Sequence, residues 1–237
     1  MIYQTRALVL NQFMYDDSKL IVKMYTEQLG MVSYLTYKSK DRRKRSQIPL
    51  SMSLVEILGE EKRKGHLHYI KDIKLLEGEG LAGFDLRKSS VRMFLNEILY
   101  RLLVDKGEDG HLFEFLYVSL SEFIHRDFMP DFHLRFLVAL MQKLGFSPQN
   151  NYSDATPIFN VESGSFEPVF QEDKEEILLS HLFFRLLNRD LFSEKSAETI
   201  SSHWRNRLLD MILKYFTLHI ADFSAVKSHE VLRMVLV

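Results

Sequence analysis

The sequence predicts an α+β protein in which a small closed β-barrel, residues 1–80, precedes an α-helical bundle, residues 81–237, that carries one inserted β-hairpin. Three observations predict it. Apolar residues of the first third recur with a period of two in five short β-rich runs. Beyond Gly78, Gly80 and Gly83 the period lengthens to that of a helix. Residues 150–171 then interrupt the helical pattern with two short apolar runs around Ser163-Gly164. At 237 residues and 46% hydrophobic content the chain can fill a substantial core.

The first run, 3–13, interleaves Tyr3, Thr5, Ala7 and Val9 with Gln4, Arg6, Leu8 and Leu10. A second, 19–25, follows the polar turn Asp16-Asp17-Ser18, and a third, 31–37, is reached through Gly30, which can take the positive φ of a tight hairpin. The fourth and fifth, 52–58 and 67–75, flank a charged turn over 59–65. Five short antiparallel strands with long connections only after the third and fourth fit an oligonucleotide-binding (OB) barrel, with an SH3-like barrel as the alternative.

In the remainder, Val91, Phe94, Leu95, Ile98, Leu99, Leu102 and Leu103 form one helical stripe with Asp85 placed to cap it. Helices are expected over 112–124 and 132–144, the latter ended by Gly145 with Pro148 beyond, and then over 175–187, 196–220 and 227–236. The stripes are wide enough to pack on one another as a bundle without a membrane or cofactor.

Net charge is −1, but its distribution matters more than its total. Residues 1–80 carry 14 Lys+Arg against 10 Asp+Glu, and residues 81–237 carry 17 against 22. The cationic excess concentrates in residues 38–45, KSKDRRKR, where Lys38, Lys40, Arg42, Arg43, Lys44 and Arg45 face only Asp41 and no apolar side chain is present. Such a segment suits a polyanion, and its bland alternative is a solvated connection. Lys62, Arg63 and Lys64 in the second charged turn extend the track, and Tyr34, Tyr37 and Tyr25 lie close by in sequence. Cations that follow a phosphate backbone beside aromatic faces that stack bases are the parts of a single-strand site. Alternation sends Tyr34 to one face of its strand and Tyr37 to the other, so at most one of the two can serve; Tyr34 is the expected stacking residue.

The ordered set TRALVL at 5–10, YTEQLGMVSYL at 25–35 with the basic run after it, FDLRKSS at 84–90, FHLRFLVALMQKLGFSP at 132–148, LLDMILKYFTLHI at 208–220 and VKSHEVL at 226–232 resembles the RecO family of bacterial recombination mediators. The resemblance implies an OB barrel on a helical domain and a non-enzymatic activity. It implies binding of single- and double-stranded DNA, annealing of complementary strands, and action with RecR to load RecA onto DNA covered by single-strand binding protein (SSB), whose acidic tail is expected in the helical domain. Many members carry four zinc-binding cysteines in the inserted segment. This chain has no cysteine, so no zinc or other cofactor is expected, and Phe159, Val161, Phe166 and Phe170 are expected to pack in its place. At Ala221-Asp222-Phe223, where relatives often have proline, only the start of the last helix should be affected.

Other chemistries find no support. Absence of cysteine removes disulfides, thiolate metal sites and a cysteine nucleophile. His66 and His68 could share a strand face, but two ligands without a third make a poor zinc site. His133 and His219 read as hydrogen-bonded boundary residues. Glu60-Glu61 and Glu175-Glu176 are sequence neighbours that point apart, so neither pair gives facing carboxylates. No phosphate-binding glycine loop, HExxH or GxSxG motif occurs, so no enzymatic activity is expected. Residues 1–13 are unlike a signal peptide and no run is long and apolar enough to span a membrane, so a cytoplasmic, nucleoid-associated location is expected. A rival reading is an adaptor whose barrel binds a partner's acidic tail without touching DNA. Arg87, Lys88, Arg92 and Arg101 are possible contacts for such a tail, with a solvated helix face as the simpler expectation.

Overall fold

A computed structural model describes residues 1–37, 49–62, 67–77, 85–169, 173–193, 200–223 and 226–236. They form two compact units, Met1–Phe128 and Met129–Val237.

The first unit opens with five strands, β1 (Ile2–Met14), β2 (Lys19–Thr26), β3 (Gly30–Tyr37), β4 (Leu54–Lys62) and β5 (Leu67–Glu77). They close in the order β1-β2-β3-β5-β4, with β1 paired to both β2 and β4 and with β3 and β5 parallel. Joining the third strand to the fifth is the OB arrangement, so the SH3-like alternative falls away. A bulge between Val9 and Asn11 bends β1 so that it can serve both neighbours. Ala7, Val9, Val22, Met24, Tyr34, Val55 and Ile57 fill the interior.

Strand boundaries differ most from the sequence expectation at the two ends of β4. β4 begins at Leu54, not 52, because Met52 adopts a positive φ of 66° while its N–H donates to the Val9 carbonyl at 2.7 Å. It then runs to Lys62, through what reads as a turn in sequence. Gly59 stays in the strand because the Tyr3 ring lies where its side chain would be: an added Cβ would stand 2.6 Å from the ring.

Two helices complete this unit, α1 (Leu86–Leu103) and α2 (Gly110–His125). Asp85 caps α1 as expected, accepting from the Arg87 and Lys88 N–H groups, and Asp109 caps α2 through the Leu112 N–H. The helices hold the barrel by polar clamps as well as apolar packing. Met31 donates its N–H to the Lys106 carbonyl at 2.9 Å, and Arg92 reaches the Ser51 carbonyl. Arg6 forks onto Glu27 and also pairs with Glu114, with its guanidinium 4.7 Å from the centre of the Tyr117 ring. The hydrogen bonds that Arg6 donates to Glu27 raise its pKa above its already high ordinary value.

The second unit contains α3 (Phe132–Leu144), the hairpin β6 (Ile158–Asn160) and β7 (Ser165–Glu167), α4 (Lys174–Leu187), α5 (Ser202–His219) and α6 (His229–Val235). Gly145 ends α3 in the left-handed conformation that its sequence context predicts. The hairpin is fastened by side chains that imitate strand neighbours. The Asn151 amide donates to the Phe166 carbonyl and accepts from its N–H, both at 2.9 Å, and Ser180 Oγ accepts from the Phe159 N–H. Phe159 and Phe166 are buried against Phe183 and Phe184, whereas Val161 is half-buried beside a surface groove. Phe170 lies outside the described residues.

His133 is deeply buried in α3, not at a boundary as its sequence setting suggests, while His219 bonds the Val161 carbonyl at 2.9 Å. Burial, with the Arg205 charge as a smaller cause, pushes the His133 pKa down to about 3. The folded protein therefore holds this ring neutral while the unfolded chain takes up a proton below about 6.5, so stability falls as pH falls through that window. Between pH 7 and pH 5 the expected loss is about 2 kcal/mol. Urea unfolding at the two pH values should show it, and His133→Gln should flatten the dependence; an unchanged dependence in that variant would assign the acid sensitivity elsewhere.

Candidate nucleic-acid interface

Strand register determines which side chains leave the barrel. Val22, Met24 and Tyr34 point into the core, so the alternate residues Lys19, Ile21, Lys23, Leu35 and Tyr37 lie on the outer face of β2 and β3. Phe13 pairs with Ile21, Lys19 pairs with Tyr37, and the Tyr15 N–H donates to the Lys19 carbonyl at 3.0 Å. Phe13, Tyr15, Lys19 and Tyr37 therefore share the end of this face at which the chain enters residue 38. Tyr37 is 62% exposed, Tyr15 63% and Phe13 43%. Lys19 Nζ lies 5.9 Å from the Tyr37 ring centre and 3.4 Å from Asp16, whose carboxyl is held low chiefly by hydrogen bonds from Ser18. Farther along the face, Lys23 donates to Tyr100 Oη at 3.0 Å and draws the Tyr100 pKa down.

The expectation for Tyr34 is corrected. Its ring has 0% exposure inside the barrel, where Tyr3 Oη donates to its hydroxyl at 3.0 Å and in turn meets His68 Nδ1 at 2.7 Å. Desolvation drives the Tyr34 phenol far above its ordinary pKa. A ring enclosed by its own strands has no face to offer a base. Tyr25 is equally enclosed, packed on Phe113, and burial pushes its phenol up to about 12.

Lys38, Lys40, Arg42, Arg43, Lys44, Arg45, Arg63 and Lys64 lie outside the described residues, as does His66, and Lys62 is described only as the last backbone position of β4. Among the cations of α1, Arg87 stays exposed as a solvated face expects, whereas Arg92 is buried and Lys88 and Arg101 are half-buried. Arg87 pairs with Asp85, Lys88 donates to the Ile124 and Arg126 carbonyls, Arg92 is buried on Ser51 and Arg101 pairs with Glu97. All four are engaged within their own unit.

One groove of the second unit is unsuited to phosphate. It encloses about 380 Å³ beside the inserted hairpin and is edged by Glu162, Glu167, Asp173 and Glu176 with Lys214 the one cation among its lining residues. Hydrogen bonds from Ser163 and Asn160 hold Glu167 ionised, so this groove repels a polyanion. Among the described residues no three His, Asp or Glu side chains converge as metal ligands, and no helix is long and apolar enough to cross a membrane.

Comparison with known families agrees with this architecture. The model described as "Recombination protein O N terminal" matches residues 1–78, and "Recombination protein O C terminal" matches residues 83–224. The chain belongs to the RecO family. It is 31% identical to the DNA repair protein RecO of Azobacteroides pseudotrichonymphae over 99% of both chains. Its identity to the DNA repair proteins RecO of Porphyromonas gingivalis and Flavobacterium psychrophilum is 30% and 28%, over 98% of each chain in both cases. RecO membership assigns the chain to DNA repair and recombination. It also agrees with the α+β fold expected from sequence, a five-stranded barrel followed by helices. The two RecO models divide the chain between 78 and 83, whereas packing groups α1 and α2 with the barrel.

Tyr15 and Phe13 are absent from the sequence-derived site because, in sequence, they only end a strand. The signal available there was an aromatic pair abutting the polar turn Asp16-Asp17-Ser18. Only the strand pairing sets it across Lys19 from Tyr37.

Proposed function

We propose that the chain is a non-enzymatic recombination mediator that binds single- and double-stranded DNA through its barrel, anneals complementary strands and, with RecR, helps load RecA onto SSB-coated DNA. The observation that carries this reading is an outer β1–β2–β3 face of lysines and exposed aromatic rings that runs straight into the sequence KSKDRRKR. Lys38, Lys40, Arg42, Arg43, Lys44 and Arg45 hold phosphates, and Lys62, Arg63 and Lys64 extend the track. Phosphate contacts fix position without reading sequence, which is what pairing of arbitrary complements requires. Neutralised strands also repel each other less. The SSB acidic tail and RecR are the expected protein partners, no cofactor is needed, and the site of action is the cytoplasmic nucleoid.

Salt dependence tests the reading. If six cations displace counterions from a single strand, affinity for a labelled oligonucleotide should fall with salt at a log-log slope of about −4. Negligible DNA affinity at moderate salt, with retained binding to an acidic peptide, would instead support the adaptor reading.

A further inference from the structure

We propose that Tyr37 and Tyr15, with Phe13 beside them, form a stacking platform for unpaired bases, and that this platform sets the preference for single over double strands. The inference rests on the barrel being the DNA-binding element, but it concerns bases where the charged segment concerns phosphates.

Three observations carry it. First, Phe13 of β1 pairs with Ile21, Tyr37 of β3 pairs with Lys19, and Tyr15, one residue beyond β1, donates its N–H to the Lys19 carbonyl, so the two tyrosines flank Lys19. Second, both tyrosines are more than half exposed, whereas Tyr25 on β2 and Tyr34 on β3 are fully enclosed. Aromatic rings grouped in water on a sheet face mark a contact surface more than a packing need. Third, Lys19 stands between the two tyrosines with its Nζ 5.9 Å from the Tyr37 ring centre, so a strand whose bases lie on the rings meets a cation for its phosphates on the same face.

Ring faces take base faces, which a duplex hides in its own stack and a single strand exposes. A strand held in this way keeps its Watson–Crick edges outward, free to meet a complement. Once pairs form, the bases stack on each other and leave the rings. The platform therefore grips the reactant of annealing and releases the product, whereas phosphate contacts hold both.

The test uses the full chain and three probes: an oligothymidylate, an abasic strand with the same number of phosphates, and a duplex. Wild type should bind the oligothymidylate more tightly than the abasic strand by about tenfold per engaged ring. Y15L/Y37L keeps apolar bulk but loses the ring faces, so it should bind those two strands alike, with duplex affinity and salt slope unchanged. Y15F/Y37F should restore the discrimination. Persistence of wild-type discrimination in Y15L/Y37L would overturn the platform, as would equal wild-type affinity for thymidylate and abasic strands. In that second case the electrostatic reading would still stand; only a wild type that binds none of the three probes would remove the DNA-binding reading itself.

Discussion

Gly30→Ala is expected to destabilise the N-terminal unit by about 3 to 5 kcal/mol, a large fraction of an ordinary domain's stability. Two independent costs combine. Gly30 has a φ of +70°, where a β-carbon alone costs about 1 kcal/mol. That carbon would also stand 2.5 Å from the carbonyl oxygens of Lys106 and Gly107. The colliding atoms are backbone, so no side chain can rotate away. Relief requires β3 to part from the 106–107 segment, which breaks the Met31 N–H to Lys106 bond and exposes the apolar faces behind it. Two other glycines separate the terms. Gly145 has a positive φ but open space for a Cβ, so Gly145→Ala should cost about 1 kcal/mol from conformation alone. Gly107 has neither constraint, and Gly107→Ala should be close to neutral. Urea unfolding of the three variants should rank them in that order, and hydrogen exchange should localise the Gly30→Ala loss to residues 1–128. Equal effects at Gly30 and Gly145 would show that the close approach to 106–107 is immaterial.

Replacing Lys38, Lys40, Arg42, Arg43, Lys44 and Arg45 together by alanine should lower single-strand affinity at low salt by on the order of a thousandfold or more. The size follows from the counterion count: six phosphates released from neutralisation at a slope of about −0.7 each remove most of the salt dependence as well. The remaining slope should approach that of Lys62, Arg63 and Lys64 together with the lysines of β2. Because the segment contains no apolar side chain, the thermal transition should stay close to that of wild type. Annealing at low salt should decline with affinity. Unchanged binding and annealing would move the phosphate track elsewhere on the barrel. Combined with Y15L/Y37L, this variant distinguishes two losses, one uniform across nucleic acids and one confined to strands with unpaired bases.

Where local chemistry decides conformation, residues announced their structure. Asp85 and Gly145 cap and end helices because a side-chain acceptor or a missing Cβ acts within one turn of chain. The five strands and the inserted hairpin were legible from periodicity, since a half-buried strand must alternate. Absence of cysteine was equally visible, and the burial of Phe159 and Phe166 shows two of the four expected apolar residues packing in that segment.

The candidate site was legible only in part. Alternation separated Tyr34 from Tyr37 correctly, but parity carries no label for inside and outside. That label comes from barrel closure, which sets Tyr34 against Tyr3, 31 residues away in the chain, and against His68 on β5. Arg92 looked like part of a solvated helix face because a helical wheel knows nothing of the Ser51 carbonyl on a distant turn. Gly30 could be read as a hairpin glycine, yet its tightest constraint comes from the 106–107 segment.

By itself, then, the sequence determined the order of elements, their caps, the change from barrel to helices and the concentration of cations in residues 38–45. Periodicity, capping and charge density are properties of neighbours along a chain. Tertiary structure alone decided which aromatic rings meet solvent, which arginines are engaged and which glycines tolerate a side chain. Each of those depends on what the closed barrel and its packed helices bring within a few ångströms, and distance in sequence does not encode that proximity.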